Sequence, residues 1–188
     1  LSAACCVASF AFRLRTAAVI ATGSEVASGL IEDRFTPVMV EKLAAYGIET
    51  VMRATPGDDR ADVVAAIGEA RAAGVDLVLC TGGMSVDPDD NTPGAIRAAG
   101  ARVVTYGAPV LPGAMLLVGY FDEPGGRSVP VLGVPGCAMY SRATVLDLVL
   151  PRIAAGVPIE RADLVRMGEG GLCLGCPECT FPHCPFGR

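Results

Sequence analysis

The stretch Val75–Ser85, VDLVLCTGGMS, decides the reading of the fold. After Asp76 it runs apolar to Cys80 and then stops at Thr81-Gly82-Gly83. A run with no polar face belongs to a strand covered on both sides, the situation of a parallel sheet between helices. Glycines at its end let backbone amides approach a ligand closely, and the Ser85 hydroxyl can donate to a phosphate or carbonyl oxygen. Open α/β sheets bind ligands at the C-terminal ends of their strands. Taken alone, Gly-Gly after a strand reads equally well as a tight turn.

Outward from that strand, short β-branched runs alternate with alanine-rich amphipathic segments. Ala17–Thr22 reads as a buried strand, Thr36–Tyr46 as a helix closed by Gly47, Glu49–Arg53 as a strand, and Asp59–Ala73 as a helix ending at Gly74. Downstream follow a short helix at Pro93–Ala99, strands at Arg102–Thr105, Met115–Phe121 and Val129–Gly133, and a turn at Glu123-Pro124-Gly125-Gly126. Cys137–Ala155 reads as a last helix, kinked or broken at Pro151. The expected fold is a three-layer α/β/α sandwich with a mostly parallel central sheet over residues 16–156. Residues 1–15 read as the edge of an upstream region, 157–167 as a linker, and 168–188 as an appended cysteine-rich tail.

In a chain of 188 residues, 52% hydrophobic and 19% charged, disorder and collagen-like repeats are excluded. A net charge of -5 argues against nucleic-acid binding by broad counterion release and leaves room for a local phosphate site. The uncharged stretch Val103–Phe121 is interrupted by Gly107, Pro109, Pro112, Gly113 and Gly119, so no membrane helix is expected. Of the eight cysteines, Cys5, Cys6, Cys80 and Cys137 are scattered, while Cys173, Cys176, Cys179 and Cys184 crowd into twelve residues. That pattern points to a metal site in a reducing, cytoplasmic setting.

Asp87, Asp89 and Asp90 follow the Gly-Gly loop directly before a helix start. Carboxylates beside an oxyanion cradle suit a magnesium ion shared with substrate phosphates, whereas Asp90 or Asn91 can equally cap the helix. Asp58-Asp59 admits the same two readings.

In order along the chain, Thr22-Gly23-Ser24-Glu25, Gly57-Asp58-Asp59, the run from Asp76 to Ser85, Asp90-Asn91-Thr92-Pro93, Leu111-Pro112-Gly113 and Gly133-Val134-Pro135-Gly136 resemble the molybdopterin-binding domain. That domain is shared by molybdopterin adenylyltransferase, molybdopterin molybdotransferase, gephyrin and the competence-damage family. The resemblance implies binding of molybdopterin or its nucleotide form, usually with Mg2+, in molybdenum or tungsten cofactor biosynthesis. It implies a homo-oligomer, dimer or trimer. By position, Asp58 and Asp90 correspond to the family's functional aspartates. Thr22, Gly23 and Glu25, with Thr81, Gly82, Gly83 and Ser85, correspond to the pterin and phosphate loops, and Pro135, Gly136 and Cys137 to a second ligand loop before a helix N-terminus.

The departures bear on function. Ser24 stands where the transferases usually have an aspartate, and Asp33-Arg34-Phe35 where they have Asp-Ser-Asn. Leu111 and Ala114 flank Pro112-Gly113 where lysines are usual, which weakens phosphate neutralisation unless Arg97, Arg102 or Arg142 substitutes. Cys137 would open a helix, where a thiol's pKa falls, or it is a small residue that fits the space. Two functions follow: a pterin-binding module of a larger protein, favoured by the missing lysines, or an active adenylyltransferase or molybdotransferase.

The tail, Cys173-x2-Cys176-x2-Cys179-x4-Cys184-Pro185 with the sole histidine at His183, is too poor in apolar side chains to order itself. Its four cysteines are expected to hold a metal centre whose occupancy orders the tail. The spacing is one residue off half a bacterial ferredoxin motif, so an iron-sulfur cluster is the first reading and Zn2+ the second.

Overall fold

The computed structural model describes residues 8–85 and 90–188. Cys5, Cys6, Asp87 and Asp89 lie outside the described residues. Six strands form one sheet: β1 (Thr16–Ala21), β2 (Glu49–Ala54), β3 (Leu77–Thr81), β4 (Arg102–Tyr106), β5 (Leu117–Asp122) and β6 (Ser128–Val134), in the order β2-β1-β3-β6-β5-β4. β5 is antiparallel to both neighbours, and the other pairings are parallel. β4 therefore points the same way as β6, and five strands send their C-terminal ends to one edge.

The alternation of strand side chains separates two cores. On one face Ala17, Val19, Leu77, Leu79, Leu132 and Val134 pack with α2 (Phe35–Ala44) and α5 (Val145–Ala154). On the other, Ala18, Ile20, Val78, Cys80 and Val131 pack with α3 (Arg60–Ala72) and α4 (Thr92–Ala98). The three-layer α/β/α arrangement is as expected, and β3 is buried along its whole length. A short α1 (Ser24–Ala27) follows β1.

The segment read as one helix from Cys137 to Ala155 is two elements. A 3-10 turn covers Gly136–Met139, and α5 starts afresh at Val145. The reason is a capping box at Thr144: its hydroxyl accepts from the Leu146 N–H at 3.2 Å, while Asp147 Oδ2 accepts from the Thr144 N–H at 2.8 Å. Pro151 does not end α5, which runs on to Ala154 and buries Val149, Leu150 and Ile153.

Residues 157–167, read as a linker, contain α6 (Arg161–Arg166) and deliver Ile159 and Leu164 to the core. The buried Tyr120 hydroxyl accepts from the Ile159 N–H at 2.8 Å. The tail docks on the body as well: Leu172 bridges Leu111, the Cys173 N–H donates to the Leu111 carbonyl at 2.8 Å, and Phe186 is buried. Among the described residues no helix is long and apolar enough to cross a membrane.

Candidate functional site

The edge at which β1, β2, β3, β4 and β6 end is built from small polar side chains. Thr22, buried just past β1, donates its backbone N–H to the Thr81 carbonyl at 2.7 Å. Its hydroxyl lies 3.2 Å from that same carbonyl and 3.1 Å from the hydroxyl of Thr92, at the start of α4. Thr81 in turn donates its hydroxyl to the Val134 carbonyl at 3.1 Å. Three buried threonines thus join the ends of β1, β3 and β6 to α4, each satisfying a polar group that burial would otherwise strand.

Gly82 sits against this cluster with φ +84°, and a Cβ there would lie 2.2 Å from the Thr22 carbonyl oxygen. Gly83 also has positive φ. The Gly-Gly pair is therefore required by close packing as well as by the turn. Beyond it, Ser85 is exposed; its backbone N–H donates to Asp90 Oδ2, and its carbonyl accepts from the Tyr106 hydroxyl at 2.8 Å. Burial raises the pKa of Tyr106, the Asp90 charge adds to the rise, and Arg97 opposes it from above the ring, 5.9 Å from its centroid.

The two expected aspartates are on this edge in different surroundings. Asp58 crosses to α1, where its Oδ2 accepts from the Ser24 N–H at 2.8 Å and the Ser24 hydroxyl at 2.6 Å. Its neighbour Asp59 is the helix cap of the pair, accepting from the Ala61 N–H. Asp90 pins the Ser85 loop, and Asn91 donates its side-chain amide to the Asp58 carbonyl at 3.1 Å without capping α4. Asn91 thus links the Asp58 and Asp90 loops. Glu25 is exposed on α1, and Gly23 precedes it at φ +145°. Among the described residues no three Cys, His, Asp or Glu side chains gather as a metal-ion site.

Pro135 and Gly136 follow β6 directly beside β3, since Thr81 and Val134 are partners in the sheet. They lead into a four-residue 3-10 turn, so the expected helix N-terminus is absent there. The Cys137 thiol is half-buried, and burial pushes its pKa up, opposite to the activation expected at a helix start. Asp33 caps α2, accepting from the Phe35 and Thr36 N–H groups at 2.9 Å each.

Of the candidate replacement cations, Arg97 reaches Tyr106 and Arg142 is exposed near the end of β6, but Arg102 starts β4 at the opposite edge and pairs with Asp122 at 3.0 Å. The single lysine of the sequence, Lys42, is paired with Asp147 between α2 and α5. Sequence reading missed Tyr106 and the Thr22–Thr92 contact. These partners are 21 and 70 residues from Ser85 and Thr22, and no local spacing announces them.

Residues 18–155 match the family model described as "Probable molybdopterin binding domain". The chain is 40% identical over 90 residues to a putative competence-damage inducible protein of Desulforudis audaxviator, covering 47% of this chain and 22% of the relative. A CinA-like protein of Mycobacterium sp. strain JLS is 35% identical over 89 residues, covering 47% of this chain and 21% of the relative. The matched stretches thus span about a fifth of the length of these curated relatives. Among solved structures, the tungsten cofactor synthesizing protein MoaB of Pyrococcus furiosus superposes with a TM-score of 0.61 at 21% identity, over 77% of this chain and 98% of that one. CinA of Thermoplasma acidophilum superposes at 0.59 and 17% identity, over 74% of this chain and 98% of that one. At these identities the superpositions speak for the fold.

Proposed function

Since the chain belongs to the molybdopterin-binding domain family, we propose that the threonine-braced edge binds molybdopterin or its nucleotide form, as a binding module of a larger protein in molybdenum or tungsten cofactor biosynthesis. The observation that supports the reading is the convergence on one sheet edge of Asp58 after β2, Gly82-Gly83-Ser85 and Asp90 after β3, and Pro135-Gly136 after β6. The Gly82–Ser85 loop supplies close backbone approach to the terminal phosphate, and the exposed Ser85 hydroxyl supplies a donor.

Magnesium bound alongside a substrate phosphate takes one or two protein carboxylates, and Asp58 and Asp90 meet that demand. The ion would supply charge neutralisation to the phosphate oxygens. Asn91 holds the Asp58 loop to the start of α4, and Asp90 holds the Ser85 backbone, so both carboxylates are set before a ligand arrives. Within this reading the protein is a cytoplasmic homo-oligomer, which light scattering on the purified chain tests.

Binding without turnover is favoured over adenylyl transfer or metal insertion by the cations. Leu111 and Ala114 occupy the loop where lysines are usual, and Lys42 is committed to Asp147. Mass spectrometry of protein purified without oxygen should find a bound pterin, and incubation with molybdopterin, ATP and magnesium should give no adenylylated product. Turnover at rates typical of transferases would replace the module by the enzyme, and absence of any pterin binding would refute both. Asp90→Asn keeps an oxygen for the Ser85 N–H, so it should change stability by less than about 1 kcal/mol while weakening magnesium-dependent binding. Unchanged binding would return Asp90 to a purely structural role.

A further inference from the structure

The tail brings its four cysteines to one place. Cys173, Cys176, Cys179 and Cys184 all line a single cavity of about 550 Å3, and all four are free thiols. Its inner wall is Leu111 and Pro112 after β4 and Ser141–Ala143 after β6, and Phe181 and Phe186 shield it with apolar surface. Both ends of the run are anchored. Cys173 is held by the Leu111 carbonyl, and Cys184 precedes by two residues the buried Phe186. Cys176 and Cys179 lie on the exposed stretch between these anchors.

We propose that this cavity seats an iron-sulfur cluster ligated by Cys173, Cys176, Cys179 and Cys184. A single zinc ion needs four ligands in a tetrahedron at about 2.3 Å, which puts thiolate sulfurs about 3.8 Å apart around one point. Here four thiols line one cavity of about 550 Å3, a space that admits a body larger than a single ion. A body that offers a separate iron to each thiolate fits that arrangement. The order Cys-x2-Cys-x2-Cys followed by a more distant Cys-Pro is the kind of run that wraps such a cluster. His183, the residue that would complete a three-cysteine zinc site, is exposed and is not part of the cavity wall. On ligation each thiol releases its proton to solvent, so binding strengthens as pH rises.

The proposal stands independently of pterin binding, because none of the candidate pterin-loop residues lines the cavity. The test is to purify the whole chain anaerobically from iron-replete cells and measure iron, zinc and acid-labile sulfide. About four irons and four sulfides per chain are expected, in a brown protein with broad absorbance in the visible blue. Cys176→Ser and Cys179→Ser, both at exposed positions, should each lose most of the iron with an unchanged circular dichroism spectrum, and His183→Ala should retain it. One zinc per chain without sulfide, a metal-free protein, disulfides among the four cysteines, or iron kept by the Cys176→Ser, Cys179→Ser double variant would each overturn the assignment.

Discussion

Replacing Gly82 with alanine separates the two reasons for a glycine at the end of β3. The first is conformational: at φ +84° an L side chain costs roughly 1 to 2 kcal/mol. The second is space. The new Cβ would stand 2.2 Å from the Thr22 carbonyl oxygen and 2.6 Å from its hydroxyl, against an ordinary carbon-oxygen contact of about 3.3 Å. One group must therefore retreat by about 1 Å. Thr22 cannot do so freely, because its N–H and hydroxyl are bound to Thr81 and Thr92. Overpacking of this kind costs about 1 to 3 kcal/mol, and a weakened hydrogen bond in the cluster adds about 0.5 to 1.5. The expected loss is about 2.5 to 6.5 kcal/mol, or roughly 5 to 26 °C in Tm for a domain of this size. Gly74→Ala is the control, since Gly74 has φ +75° but nothing within 4 Å of its Cβ position, so it pays only the first cost. Urea denaturation followed by circular dichroism measures both. Equal losses in the two variants would show that Gly82 serves the turn alone and that the threonine cluster does not constrain the loop.

Tyr120→Phe leaves the Ile159 N–H buried without its acceptor and should cost about 1 to 3 kcal/mol in urea denaturation; no loss would make residues 157–167 an appendage. Asp163 is held at about 2, below its ordinary 3.8, chiefly by the hydrogen bond from Arg152, then by the Glu160 N–H and Arg166. A lowered carboxylate pKa gives stability that is complete above the unfolded value and lost as pH falls from about 4 toward 2. With partly exposed arginine partners this amounts to about 1 kcal/mol, and Asp163→Asn should flatten that part of a pH–Tm curve. Burial pushes the Cys80 thiol up to about 12, so alkylation near pH 8 should spare it in the folded chain and modify it only in denaturant.

The parts of the fold that were legible in the sequence are those whose cause is local. The run Leu77–Cys80 is apolar throughout because both its faces are covered, and α3 ends at Gly74 because a left-handed residue closes the helix. The missed break before α5 also had a local signal: Thr144-x-x-Asp147 is a capping box lying inside a continuous apolar run. Glu160 and Asp163 form a second one at α6, within the segment taken for a linker. For the site, the glycines and aspartates were visible as residue types, but their partners were not. That Asp58 serves Ser24, 34 residues away, depends on β1 and β2 being neighbours in the sheet.

Two features that set this chain apart, the missing lysines and the cysteine-rich tail, meet in one loop. Leu111, Pro112 and Gly113 stand where the resemblance leads one to expect flanking lysines, and here the loop is clamped from both sides. The Pro112 carbonyl accepts from the Val145 N–H at the start of α5, and Gly113 lies so close to Val145 that a Cβ would fall 2.5 Å from its side chain. On the other side Leu111 exchanges backbone hydrogen bonds with Gly171 and Cys173. The Leu111 side chain itself stays more than half exposed, so the docking at this position is made by its backbone. The loop where the resemblance leads one to expect lysines is thus the loop against which the cysteine-rich tail docks.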